Sequence, residues 1–468
     1  MDRHRIVSLL RYTLLIGVTA VTYVGALDGA FQYDDFYSIL INPHLDRWPT
    51  FAGHLDHMVR PFLYATFLID RSVYGNNPAG YHVLNLLLHL GCGILLYRIL
   101  TRVVTEDLKH ISLWTSLLFL VHPIQTEAVT YISGRASSLM AFFYLLALTL
   151  YDGAIVRRRQ GAPYRQYLVG SLVSFVFALC SKETAITLPI TLLLWDRLVR
   201  QINGAALRQN LLSIHLPFWL VLIAASAWAW WHPRYSMLAE FSLQIRPLGD
   251  NLLSQLNAVT YALLLFFCPW KLNFDHDLPA LHSLLEWPLP LDFLVLGVLA
   301  TAAAAAVARF PLFSFGIGWF FIQLLPTSLI PRNDLLSERN LYLPSIGFLF
   351  AIAILVPYLL QRLAKIFRQP RILRLGATGT AGLLVIALCM FTYQRNVLYS
   401  DPVLLWSDTI KKSPQKARPR NNLGHAYALR DDWERALEEF RIAVQLDPDY
   451  VLAKKNLRDA YLHQVGRL

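Results

Sequence analysis

Two adjacent carboxylates, Asp34 and Asp35, sit between Tyr33 and Phe36, just after the first apolar run, Ile6 to Leu27. Neighbouring acids at a membrane surface repel each other and are costly to desolvate, which marks a place for binding or proton transfer. The plain alternative is a solvated loop with two surface acids, and charge alone does not decide. Other reactive types recur further on. Arg60-Pro61 lies later in the same loop. His82, Asn85 and His89 are i, i+3 and i+7, so they share one helix face. Metal ligation there would need carboxylates spaced with them, and none are. Contacts between helices, or to a bound headgroup, read better. His122 and Glu127 form the next polar cluster, followed by Arg135, whose planar fork suits a phosphate. Lys182-Glu183 falls where two apolar runs meet, and a Lys at that depth needs Glu or an anionic ligand. Glu338, Arg339 and Tyr342 precede a late apolar run.

Acids and cations thus recur at the ends of otherwise apolar helices. A phosphorylated lipid fits that mixture, with its tail in hydrocarbon, its phosphate against Arg or Lys, and a carboxylate working beside it.

The elements that must position these groups are membrane helices. The chain has 468 residues, 55% of them hydrophobic. A soluble chain this apolar would not stay monomeric. The expected spans are roughly 6–27, 81–100, 111–121, 137–152, 167–181, 184–199, 212–231, 252–270, 290–308, 312–330, 341–361 and 375–394. Ten-residue alternation is absent, which argues against a barrel. The fold class is therefore all-α, a polytopic helical bundle. The net charge of +11 would point to nucleic acid in a soluble protein. Here short basic loops such as Arg157-Arg158-Arg159 and 362–374 explain it by the positive-inside rule, and no nucleic-acid motif is present. Met1 to Arg5, 98–110, 152–166, 197–210 and 362–374 are then cytoplasmic, and 28–80, 122–136 and Ser181-Lys182-Glu183 face the other side. The two ends of the chain agree only with an odd number of spans, 11 or 13, so one candidate or the 232–251 stretch must re-enter or cross unexpectedly. The N-terminal run reads as an uncleaved anchor. Trp48, Phe51, Leu55 and Met58 are spaced for one face of an interfacial helix. The four cysteines, Cys92, Cys180, Cys268 and Cys389, read as buried thiols.

Beyond Arg395 the chain becomes charged and repeats. Asn422-Leu423 recurs as Asn456-Leu457, Tyr427 as Tyr461, Trp406 as Phe440 and Pro414 as Pro448, each 34 residues apart. That is the tetratricopeptide period and pattern. We expect a membrane unit over 1–395 and a repeat region over 396–468. An array this short must lean on the membrane unit or on another chain.

Tyr33-Asp34-Asp35, Arg60-Pro61, Tyr81 to His89, His122 to Glu127, Gly134-Arg135, Ser181-Lys182-Glu183 and Glu338 to Gly347, in this order and with the repeats, resemble the transmembrane and tetratricopeptide repeat-containing O-mannosyltransferases. Those belong to the glycosyltransferase C superfamily. The resemblance implies a polyprenyl-phosphate-linked sugar donor, a protein, glycan or lipid acceptor, inversion at the sugar, and an active site on the external face. It implies Asp34 or Asp35 as general base, with Glu127 as a further acid. Arg135, Lys182 and Arg339 are the cations for the departing phosphate. His82, Asn85 and His89 orient the loop. Arg60, His122, Glu183, Glu338 and Tyr342 complete the substrate-binding set. No cofactor is demanded; a divalent metal fits the superfamily but no ligand cluster calls for one. The membrane is the ER in a eukaryote and the plasma membrane in a prokaryote, with site and repeats external. The repeat array is shorter than in the family. Two other readings fit less well: a non-catalytic scaffold docking a protein through its repeats, and a flippase for lipid-linked sugars, which would favour inverted halves and polar groups at the midplane.

Overall fold

The computed structural model describes residues 3–367 and 370–466. Among the described residues every regular element is helical. The chain runs through α1 (Arg3–Tyr23), α2 (Pro61–Tyr74), α3 (Pro78–Val103), α4 (Lys109–Val121), α5 (Arg135–Arg159) and α6 (Arg165–Ser181). It continues with α7 (Leu216–Trp231), α8 (Pro233–Ile245), α9 (Leu248–Phe267), α10 (Leu289–Ala306), α11 (Pro311–Leu329), α12 (Tyr342–Phe367) and α13 (Pro370–Leu398). The tail adds α14 (Pro402–Lys412), α15 (Ala417–Ala428), α16 (Trp433–Leu446) and α17 (Val451–Val465).

Among the described residues, eight helical stretches are long and apolar enough to cross a membrane. The protein is a multi-pass integral membrane protein. All twelve expected spans fall on helical segments, but not all are whole helices. The 184–199 segment breaks into a turn at Glu183–Thr187, a helix at Leu188–Leu194 and a wide turn at Trp195–Val199. α4 has only 13 residues. It stops because His122 precedes Pro123, and a residue before proline is driven to extended backbone.

Several local expectations are corrected. Trp48 to Met58 is not one interfacial helix. Helix covers only Trp48–Ala52, Gly53 ends it, and a separate turn holds Leu55–His57. Phe51 and Met58 are buried while Trp48 and Leu55 stay exposed, so the four do not share a face. The basic 362–374 stretch is not a loop on either flank: α12 continues to Phe367 and α13 starts at Pro370. Residues 368–369 of that stretch, and Met1-Asp2 of the N-terminal one, lie outside the described residues. Within 232–251, α8 has 13 residues, about 20 Å, too short to cross about 30 Å of hydrocarbon. It hooks onto the first long loop, where His232 Nε2 meets the Asp56 carbonyl at 2.8 Å. α2 lies inside the expected 28–80 loop, and Thr66, Asp70 and Arg71 dilute its hydropathy.

α5 is the central strut. It packs against both α3 and α6, and about two thirds of its apolar window is enclosed by protein. α1 and α10 are peripheral, with only 22% enclosed. The main core joins α1, α3–α6, α9, α11 and α12. A second core under the first loop joins Phe31, Ile39, Leu45, Phe51 and Met58 to α2, α3 and α5. α11 and α12 cross closely at Gly316 and Gly347, where a Cβ on either would strike the other's carbonyl.

The tail forms helical hairpins. Gly424 lets α15 approach Phe440 of α16, where a Cβ would stand 2.8 Å from the ring. Asn456 donates to Asn421 at 2.9 Å across the repeat. Trp406, Leu423 and Ala426 form a small core that takes in Tyr33 and Phe274 of the membrane part. The tail helices thus pack against the membrane part of their own chain.

Candidate functional site

The two adjacent acids have opposite surroundings. Asp35 is fully buried. Its carboxylate accepts from the backbone N–H of Gln32 at 2.9 Å, from the N–H of Ser133 at 2.8 Å, and from the Ser133 hydroxyl. Burial pushes its pKa up to about 7 against the pull of those donors. Asp34 keeps 43% of its side chain exposed and stands 3.7 Å from Arg339. Its backbone N–H donates to the Tyr131 hydroxyl at 3.0 Å. Tyr33, immediately before, has φ +41°, a left-handed conformation rare for a side-chain-bearing residue and worth about 1–3 kcal/mol of strain. It is held there between Phe274 and Trp406.

The segment 122–134 is not a solvated loop. Two tight turns and the short helix Thr126–Val129 run through the interior, and Glu127 is 2% exposed. Glu127 accepts from the Ser337 hydroxyl at 2.9 Å and from the Arg339 N–H at 3.0 Å. The Arg339 guanidinium lies 3.6 Å from the same carboxylate and over the Tyr131 ring. Burial raises the Glu127 pKa, and Arg339 opposes it. One guanidinium therefore bridges Asp34 and Glu127, drawn from segments about 200 to 300 residues apart in sequence.

Beside it lies a cationic cluster. Lys182 is 4% exposed and donates to Ser137 Oγ and Asn340 Oδ1, both at 2.8 Å. Both acceptors are neutral. Burial, then Arg60 and Arg332, push its pKa well below the ordinary lysine value. Arg60 grips Glu183 with two bonds, at 3.0 and 2.7 Å. Arg332 stands 3.8 Å from the same acid. Burial alone would raise Glu183, but Arg60 and Arg332 hold it well below the carboxylate range. Glu183 thus answers two guanidinium groups, and among the described residues no carboxylate stands within ion-pair distance of Lys182.

Two adjoining clefts take in Lys182, Arg332 and Arg339, while Asp34, Glu127, Arg60 and Glu183 stand behind these cations and line neither. One, a small cleft, has Ser137, Lys182, Arg339 and Asn340 in its wall. The other, also small, is lined by the polar Arg332, Asp334 and Ser337 and by the apolar Ala258, Ala262 and Leu324 of α9 and α11. Thr327 and Asn340 line both.

Other candidates lie away from these clefts. Arg135 is wholly buried in a bridge with Asp70 at 2.6 Å, and also donates to Asn85, Thr66 and the Tyr81 carbonyl. All three of its nitrogens are engaged by buried partners and it lines neither cleft, so the expectation that it meets a phosphate is corrected. His82 bonds the Gly29 carbonyl, and Asn85 the Val129 carbonyl. His89 ties Tyr342 to the Leu120 carbonyl. His122 caps its own turn and reaches the Phe266 carbonyl. Glu338 is locked by Arg395, His276 and the Asn273 N–H. These polar groups are consumed by interhelical contacts and touch neither cleft. Among the described residues no three His, Cys, Asp or Glu side chains converge as metal ligands.

Arg332, Asn340, Ser137 and Ser133 were not singled out in sequence. Arg332 alone carried a signal, a cation after Pro331 in the same polar stretch as Arg339. The serines and Asn340 have none, because neutral residues acquire meaning only from what they face.

No protein-family profile matches the chain, and no solved structure does. Curated relatives do. Protein O-mannosyl-transferase F38B6.6 of Caenorhabditis elegans is 24% identical over 461 residues, covering 93% of this chain and 63% of that protein. Human protein O-mannosyl-transferase TMTC3 is 25% identical, covering 97% of this chain and 53% of its own length. Human protein O-mannosyl-transferase TMTC1 is 26% identical, covering 95% and 56%. The chain thus spans between about half and two thirds of the relatives it matches. The order of motifs, the helical membrane architecture and this near end-to-end similarity point the same way: over almost its whole length the chain is similar to protein O-mannosyl-transferases.

Proposed function

We propose that the protein is a membrane glycosyltransferase that moves a hexose, mannose foremost, from a polyprenyl-phosphate donor to an acceptor hydroxyl, with inversion. The observation that carries this reading is the half-exposed Asp34 beside Arg339, next to a buried Lys182 whose two hydrogen-bond acceptors are neutral. A donor phosphate between Lys182, Arg339 and Arg332 would restore charge balance to that cluster. The apolar wall from α9 and α11 offers a route for the isoprenoid tail.

In this mechanism Asp34 takes the proton of the acceptor hydroxyl as its oxygen bonds to the anomeric carbon. The bond from that carbon to the phosphate oxygen breaks on the opposite face, which inverts the centre. The lipid phosphate leaves with the electron pair, and its charge is met by cations that are already fixed. General-base assistance of this kind contributes about 10²–10⁴ in rate. Asp35 holds the loop, and Glu127 aims Arg339. The site and the repeats face the exterior or the ER lumen in this reading.

The test is incubation of the purified full chain with a panel of polyprenyl-phosphate hexoses and a hydroxyl acceptor. Release or transfer of sugar from at least one donor is expected. No turnover with any of them would remove the assignment.

A further inference from the structure

The repeat tail does more than sit against the membrane part. Its second helix and the turn before it reach into a buried acidic node. Arg418 donates through Nε to Asp275 at 2.6 Å, and its terminal nitrogen bridges Asp275 and Asp334. Lys416 bonds Asp275 as well and the His276 carbonyl at 2.9 Å. Asp275 is 3% exposed, so these cations are its necessary partners. Ser413 Oγ donates to the Asp275 carbonyl at 2.7 Å, and Lys412 to the Leu272 carbonyl at 2.9 Å.

The tail contacts both sides of the candidate site, one of them through this node. Asp334 lies two residues beyond Arg332 and lines the same cleft. The segment gripped by the tail, 272–276, also holds Glu338 through the Asn273 N–H at 2.7 Å and His276 at 2.9 Å. Glu338 is the residue before Arg339. On the other side Trp406 of α14 packs on Tyr33 with ring centres 5.7 Å apart, and His425 of α15 packs on Phe36 at 6.1 Å. Tyr33 and Phe36 flank the two aspartates. The tail therefore touches the turn carrying the proposed base and the segment carrying the proposed phosphate cations.

Resting on the transferase reading, we infer that the repeat tail is a working part of the transfer site, with Arg418 as a positioning residue that sets Asp34 and the 332–339 cations at their working separation. An arm that only recruits acceptor would have no need to hold Asp334 or Tyr33. Displacements near 1 Å at a reacting centre cost up to about 10²-fold in rate. The tail can thus govern the use of the donor even when no acceptor is bound to it.

The experiment uses the detergent-purified full chain and Arg418→Ala, Arg418→Lys, Asp334→Asn and Glu438→Ala. The last is an exposed tail position and serves as control. Two quantities are read: KM and kcat for a polyprenyl-phosphate mannose donor, with acceptor concentration varied separately, and hydrogen exchange of segment 330–341. Arg418→Ala should lower donor kcat/KM roughly 10–100-fold, leave the acceptor KM within a factor of two, and speed exchange in 330–341. Arg418→Lys should recover most of the loss, and Glu438→Ala should match native. Asp334→Asn, which leaves Arg418 on Asp275, should reproduce the effect more mildly and serves if Arg418→Ala does not fold. A folded Arg418→Ala or Asp334→Asn with native donor parameters and native exchange overturns the inference, as does a change confined to the acceptor KM. If the native chain turns over no donor, the transferase reading fails, and the exchange comparison still decides the coupling.

Discussion

Two arginines that look alike in sequence should behave differently when replaced. Arg135→Ala strips the partner from buried Asp70 and should cost about 3–5 kcal/mol of stability, read as a large fall in melting temperature. Arg332→Ala removes a half-exposed group beside an acid that Arg60 still holds. It should leave the melting temperature within a few degrees and raise the donor KM roughly tenfold, the loss of about 1.4 kcal/mol expected for one charge-assisted contact. The opposite pattern would show that the phosphate cations are misassigned. Asp35 gives a test by pH. Its folded pKa of about 7 lies above its ordinary value of 3.8, so between about pH 4 and 7 the folded chain keeps a proton that the unfolded chain releases. Stability from this group is full below pH 4 and is lost as pH rises through that window. Asp35→Asn should flatten the fall in melting temperature between pH 4 and 8; an unchanged slope would mean the carboxyl is ionised throughout. The sequence made the aspartate pair visible, but not the division of labour within it. That division comes from Ser133, 98 residues away, whose N–H and hydroxyl claim one carboxyl group and leave the other half-exposed beside Arg339.

At the scale of elements, the site depends on how α12 is seated. The turn Glu338–Leu341 leads directly into α12, so the axis of α12 aims Arg339 and Asn340. That axis is fixed by the close crossing with α11 at Gly316 and Gly347. Gly347→Val would push the helices apart. It should cost about 1–3 kcal/mol and lower donor turnover although the residue lies outside both clefts. A variant of native activity and melting temperature would show that the crossing is not what seats the turn. Hydropathy made the long helices legible because lipid imposes one requirement, a closed backbone ladder across about 30 Å. It failed at α2, where Asp70 and Arg71 break the apolar run, because their partners Arg135 and Asp46 come from elsewhere in the chain. It failed again at 122–134. A polar stretch reads as a loop unless one knows that Asn85, Ser345 and Asn396 wait inside to satisfy it.

On the scale of the whole molecule, two bodies of different chemistry meet over the candidate site. The connections between the membrane helices supply the cations, and α9 and α11 the apolar wall. The charged tail closes over the acidic turn through aromatic contacts and the Asp275 node. The 34-residue period foretold the hairpins and their need for a neighbour, but not which surface they would choose. Periodicity encodes an element's own packing, whereas docking depends on residues such as Asp275 and Asp334 that have no period.

The central claim is that Asp34, not Asp35, removes the acceptor proton. It is tested by measuring donor dissociation constant and single-turnover sugar transfer side by side for native chain, Asp34→Asn and Asp35→Asn. Asp34→Asn should bind polyprenyl-phosphate sugar with native affinity, melt as native, and transfer it about 10²–10⁴ times more slowly. Asp35→Asn should lose far less of the chemical step and show its effect in the pH dependence of stability. Native transfer rates in Asp34→Asn would contradict the account.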